Sequence, residues 1–132
     1  GHVEPSEDVY AAARREIEEE TGLEVQGLCL RGVINIPVGQ LRNRGVLLFV
    51  FTAAASGRDV RPSEEGAPEW IARERLSELD LVEDLSILIP RVMGMRTGED
   101  PFFAHYSYDE QERLVVTFSS RSSSRKDRAQ EV

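Results

Sequence analysis

Cysteine is almost missing from this chain: Cys29 stands alone. An internal disulfide is therefore excluded, and a reducing compartment, the cytoplasm, is the expected setting. Long apolar runs are missing as well. No stretch approaches the length of a membrane span and no signal peptide is visible, so no membrane partner is expected. Positive charge is scarce, with 16 Lys and Arg residues against 24 Asp and Glu and a net charge of −8. That balance disfavours a polyanion-binding surface, so no nucleic-acid polymer is expected as a partner. A small nucleotide stays open, because a metal ion can supply the missing positive charge. The 132 residues suit one domain, and their 40% hydrophobic content is enough for a sizeable core.

What is present is concentrated in the first twenty-three positions, an acid-loaded helix closed by a glycine. Ser6 is the expected N-cap, with Glu7 and Asp8 in the first turn where the helix dipole favours negative charge. Ala11, Ala12 and Ala13 are strong helix formers. Gly22 suits the left-handed residue that ends a helix. Val9, Ala13 and Ile17 make one narrow apolar stripe. Glu16, Glu19 and Glu20 follow i, i+3, i+4 spacing, so their carboxylates converge and repel. A hard divalent cation removes that penalty; Mg²⁺ takes oxygen ligands and shares its remaining positions with phosphates. Taken alone, Glu18-Glu19-Glu20 reads as a solvated face, as most glutamate runs do. Arg15, one turn before Glu19, would orient a carboxylate.

The segment resembles the Nudix box, GX5EX7REUXEEXGU with U aliphatic. Gly1, Glu7, Arg15, Glu16, Ile17, Glu19, Glu20, Gly22 and Leu23 fill its fixed positions. The resemblance implies an α/β fold, an α/β/α sandwich around a mixed β-sheet. It also implies hydrolysis of a nucleoside diphosphate-linked substrate with Mg²⁺, or alternatively Mn²⁺. The family's metal ligands map onto Glu16, Glu19 and Glu20, with Arg15, Glu16 and Glu19 in catalytic roles and Glu7 as an auxiliary. Gly1 would let the backbone approach the metal and substrate.

Beyond the box the order of elements is mixed α/β. A strand is expected over Glu24–Ile36, with Leu28, Leu30, Ile34 and Ile36 on one face. A loop follows to Asn43. Gly45–Ala54, with Val46 to Phe51 uninterruptedly apolar, reads as a buried central strand. Ser56–Gly66 reads as a loop, Pro68–Ala72 as a short strand around Trp70, and Arg73–Leu79 as a short helix. Leu81–Met95 has helical spacing, with Pro90 marking a kink or a late start. Phe102–Tyr108 and Leu114–Phe118 read as a hairpin turning at 109–112. The domain is expected over residues 1–118, and the serine-rich 119–132 as a disordered tail.

Ser63 to Trp70 resembles the acidic loop and tryptophan strand of the MutT-like, oxidised-purine triphosphatase branch. Counted from Trp70, Glu65 matches that branch's distal glutamate, a catalytic and metal-completing residue; a solvated loop acid is the plainer reading. Around Pro90, Glu83 and Asp84 fall near the branch's purine-reading acid, since a carboxyl can pair with a purine edge. The plainer reading is that they cap the following helix. Phe102 is a base-stacking candidate with Phe103 and Tyr106, against core packing as the default for strand aromatics. His2 and His105 read as surface residues. Pro37 lies a residue or two out of register for the ADP-ribose branch.

The favoured substrate is a purine nucleoside triphosphate, oxidised or not, cleaved to monophosphate and pyrophosphate. Alternatives are an ADP-ribose or ADP-sugar pyrophosphatase, or a catalytically impaired domain that binds nucleotide or protein. Family members carry strands before the box, so an N-terminally truncated domain is expected. An exposed sheet edge would then invite pairing, and a homodimer is expected.

Overall fold

The computed structural model describes residues 1–39 and 42–119. The chain runs α1 (Val9–Thr21), β1 (Val25–Val38), β2 (Arg44–Ala55), a short 3₁₀ helix (Arg73–Glu78), α2 (Glu83–Met93), β3 (Phe102–Tyr108) and β4 (Leu114–Phe118). The strands form one mixed sheet in the order β2-β1-β3-β4, with β1 parallel to β3 and β3 antiparallel to β4. This is the α/β class expected from the sequence. The tail beyond Ser119, expected to be disordered, lies outside the described residues.

Packing divides the chain into two units: residues 1–30 with 51–86, and residues 31–50 with those from 87 onward. The first contains α1. Its cap is Asp8 rather than the expected Ser6: the Asp8 carboxylate accepts from the Ala11 amide at 2.8 Å. The cause is local. Glu4 and Glu7 close a turn on each other, Glu7 N–H donating to Glu4 O at 3.1 Å and Glu4 N–H to Glu7 Oε1 at 3.0 Å. That turn takes up positions 4–7 and delays the helix, so Glu7 and Asp8 precede it.

The far end of α1 is as expected. Gly22 sits at φ 76° and its N–H reaches Glu18 O at 2.8 Å. Val9, Ala13 and Ile17 are half-buried, while Ala12 is the buried residue of the helix. Arg14 ties the helix to the start of β1 through Val25 O at 3.1 Å, and Tyr10 meets Phe51 edge-on with ring centroids 6.5 Å apart. No strand forms over 68–72. Trp70 instead donates its indole N–H to Arg58 O at 2.8 Å.

The second unit holds the main apolar core: Ile34, Leu88, Phe102, Ala104 and Tyr106, with Ile36, Val50, Val92 and Phe118 packed against it. β3 alternates as a half-buried strand should, with Phe102, Ala104 and Tyr106 inward and Phe103, His105 and Ser107 outward. Leu88 and Val92 of α2 contribute its helical side. The helix continues through Pro90, so the proline marks no late start.

One expectation fails here. β2 is an edge strand, not a buried central one, and Val46 and Leu47 are 49% and 58% exposed. An uninterrupted apolar run says that both faces are apolar; it carries no information on which neighbours the strand will have.

Candidate functional site

All of the acidic groups in the box, and the loop acid Glu65, belong to the first unit. Arg15 is the hub of one half. Its Nη2 donates to Glu7 Oε1 at 2.7 Å and to His2 O at 3.0 Å, and its Nε reaches both Glu7 oxygens at 3.2 Å. Its Nη1 donates to Glu16 Oε1 at 3.1 Å and to Glu19 Oε2 at 3.2 Å. One planar guanidinium thus sets three carboxylates and a backbone carbonyl. The hydrogen bond from Arg15 holds the Glu7 carboxyl below its ordinary value.

Glu16, Glu20 and Glu65 form the other half. Glu20 lines the cleft with Glu65 and follows Glu16 by one helical turn. Its carboxyl is pushed up, first by the bond to Glu65, then by burial, then by Glu16. For Glu16, burial pulls upward, but hydrogen bonds with Arg15 and Glu20 outweigh it and leave the carboxyl lowered. Gly1 lies directly on the Glu16 carboxylate, so a side chain at position 1 would overlap it. Only a glycine leaves the backbone that close.

Glu65 stands in a tight turn. Ser63 and Gly66 exchange backbone hydrogen bonds of 2.8 and 3.1 Å, and the Glu65 N–H donates to Ser63 Oγ at 3.2 Å. The stretch before the turn is fastened to the end of α1 by Arg61 N–H donating to Thr21 O at 2.9 Å. Between helix end and turn lies a cleft of about 310 Å³, lined by Glu20, Thr21, Ser63, Glu65, Gly66, Ala67 and Pro68.

The sequence-derived candidates therefore sort into groups. Glu20 has Glu65 on one side and Glu16 on the other, with Gly1 on Glu16 and Arg15 bonded to Glu16. Glu19 is 60% exposed and faces Arg15. Glu83 and Asp84 occupy the first turn of α2 and are not among the residues lining the cleft. They lie inside the helix rather than capping it; Val82 O accepts from the Leu85 and Ser86 amides at 3.0 and 3.3 Å. Phe102 is 4% exposed, a core residue meeting Phe118 edge-on at 5.3 Å, with Gly32 against its ring. It is placed to pack, not to stack on a base. Thr21, Arg61 and Ser63 were not anticipated. The one sequence cue was a serine two residues before Glu65, the spacing of a side-chain turn.

A divalent cation would find an all-oxygen, anionic donor set here, the kind Mg²⁺ accepts. Among the described residues, no group of three His, Cys, Asp or Glu side chains is gathered closely enough to hold a metal ion. Glu16 and Glu20, one turn apart on α1, and Glu65 across the cleft would supply oxygens of the kind such an ion takes.

Residues 1–92 match the NUDIX domain family model, well over half of the chain, and the chain belongs to the Nudix family. Among solved structures it is similar to a mutator MutT protein from Bacillus halodurans. The two share 22% identity and a TM-score of 0.75 over 90% of this chain and 78% of that one. At that identity the likeness is one of fold. No curated protein matches the chain. Among the described residues, no helix is long and apolar enough to cross a membrane.

Proposed function

We propose that this Nudix domain is a Mg²⁺-dependent pyrophosphohydrolase that cleaves a purine nucleoside triphosphate, oxidised purines included, to monophosphate and pyrophosphate. The observation that carries this reading is the approach of Glu65, from a separate loop, to Glu20 across an open cleft, with Glu16 one turn before Glu20 on the helix.

Glu16, Glu20 and Glu65 would hold the cation, with Glu19 one turn along the helix able to join once it leaves Arg15. A bound Mg²⁺ supplies positive charge that shields the phosphates and makes water a competent nucleophile at neutral pH. Arg15 keeps Glu16 oriented and ionised. Gly1, having no side chain, lets the backbone lie against the Glu16 carboxylate. Water attacks one phosphorus of the α–β linkage, the bridging P–O bond breaks, and the monophosphate and pyrophosphate separate, one of them carrying the water oxygen. The water proton passes to a carboxylate, for which Glu65 at the exposed side of the cleft is the best-placed candidate.

The fold neighbour's name, a mutator MutT protein, supports the triphosphatase branch over the ADP-ribose branch. Glu83 and Asp84 remain the proposed base-reading acids. The cytoplasm and a homodimer belong to the same reading. The exposed apolar edge of β2 is the feature that supports pairing, and sedimentation velocity over rising concentration tests it.

The deciding assay follows Mg²⁺-dependent phosphate release with pyrophosphatase added, across ordinary and oxidised nucleoside triphosphates and ADP-ribose. The expected result is turnover of purine triphosphates, with monophosphate as co-product. Faster turnover of ADP-ribose, or none of any substrate with Mg²⁺ or Mn²⁺, contradicts the proposal.

A further inference from the structure

The cleft has two walls, and they differ in how their carboxylates are placed. Glu16 and Glu20 are set by a helix. Glu65 is set by a loop, and loops place side chains less tightly than helices do. For Glu65 to stand across the cleft from Glu20, something must fix the loop. The backbone does part of this: the Arg61–Thr21 hydrogen bond of 2.9 Å joins the loop to the residue after Glu20. Gly22 lets the Arg61 side chain lie across the helix end, where any Cβ would collide with it. The Ser63–Gly66 pair then closes the turn, with Gly66 at φ 136°, a conformation that favours glycine.

One side-chain contact remains within the turn itself. Ser63 Oγ accepts the Glu65 N–H at 3.2 Å. Ser63 is half-buried in the cleft wall, whereas Glu64 and Glu65 are exposed. Its hydroxyl thus acts on the backbone of the residue whose carboxylate matters.

We propose that Ser63 is a positioning residue of the metal centre: its hydroxyl, inside a turn anchored to the end of α1, fixes where the Glu65 carboxylate stands against Glu20. This rests on the metal-dependent reading above. It adds a residue outside the box whose role is exerted through Glu65 and not by touching substrate.

The test uses Mn²⁺ alone, titrated into the whole protein and followed by its electron paramagnetic resonance signal, beside steady-state kinetics. Ser63→Ala should weaken Mn²⁺ binding by roughly tenfold, the lower end of what loss of a supporting partner does to metal affinity. It should lower kcat with little change in KM, and leave the metal-free melting temperature as it was. Ser63→Thr, which keeps the hydroxyl, should recover most of the Mn²⁺ affinity. Wild-type Mn²⁺ affinity in Ser63→Ala overturns the proposal, as does a Ser63→Thr variant as impaired as Ser63→Ala. If unaltered protein neither binds Mn²⁺ nor hydrolyses any nucleotide, the metal-centre reading itself has failed. Binding and turnover in unaltered protein with an indifferent Ser63→Ala remove Ser63 alone.

Discussion

Arg15 grips Glu7 across two turns of chain, Nη2 to Oε1 at 2.7 Å, with both partners largely shielded from water. The same guanidinium reaches Glu16 at 3.1 Å, so a residue before the helix and a residue inside it are held by one planar group. The arrangement explains why an arginine followed directly by a glutamate belongs in this place: only a forked donor serves both.

That grip gives an acid-side signature. The hydrogen bond from Arg15 lowers the Glu7 carboxyl, so the folded state binds that proton less readily than the unfolded chain. The stability it contributes is present above the unfolded value, about pH 4.3, and is lost as pH falls through the lower folded value. Glu7→Gln should flatten the dependence of melting temperature on pH in that window and lower the melting temperature above it. An unchanged acid profile would show that the pair is not coupled to folding.

Glu20 behaves in the opposite sense. Its carboxyl is raised by Glu65, burial and Glu16. Metal-free protein should therefore lose stability as pH rises from the ordinary glutamate value through the raised one. Mg²⁺, which binds the ionised form, should raise the melting temperature more at about pH 8 than at about pH 5. Glu65→Gln should raise metal-free stability near neutrality and shrink the Mg²⁺ effect. Melts in chelator and in Mg²⁺ across pH read both signs, and a Mg²⁺ shift that is larger in acid contradicts them.

Gly22 makes two demands at once: φ 76° and the Arg61 side chain where a Cβ would stand. Gly22→Ala should cost about 1 kcal/mol for the left-handed backbone and more for displacing Arg61. In the Gly22→Ala/Arg61→Ala double variant only the backbone part should remain, a favourable coupling seen by chemical denaturation. Additive losses would mean that Arg61 moves aside freely.

Phe102 separates packing from substrate contact. Its ring is core, so Phe102→Ala should destabilise the fold by roughly 3 to 5 kcal/mol. The milder Phe102→Leu should lower the melting temperature and leave KM for a nucleotide unchanged. A raised KM with an unchanged melting temperature would restore Phe102 to the substrate site.

Local signals in the sequence translated well, and signals that depend on neighbours did not. Gly22 ends its helix because the conformation it needs is its own. The hairpin of β3 and β4 was legible from alternation, and its turn is bound by Asp109 Oδ1, which accepts from the Gln111 and Arg113 amides at 2.9 Å. Asp8 displaced Ser6 as the cap because the Glu4–Glu7 turn competes for the same residues. The apolar run in β2 could not reveal its place at the sheet edge. Spacing on a helix put Glu16, Glu19 and Glu20 on one side, but Arg15 draws Glu19 toward itself. The nearness of Glu65 to Glu20 depends on a hydrogen bond from Arg61 to Thr21, forty positions apart in sequence, which no local pattern encodes.

Whether these carboxylates hold the metal is decided by a Mn²⁺ titration of three single variants, Glu16→Gln, Glu20→Gln and Glu65→Gln, beside the unaltered protein, with Mg²⁺-dependent pyrophosphate release measured on the same samples. Each variant should fold, each should bind Mn²⁺ at least about tenfold more weakly, and Glu20→Gln, the carboxyl beside both others, should lose turnover altogether. Glu20→Gln protein that binds the ion and hydrolyses nucleotide as well as the unaltered chain would contradict that role.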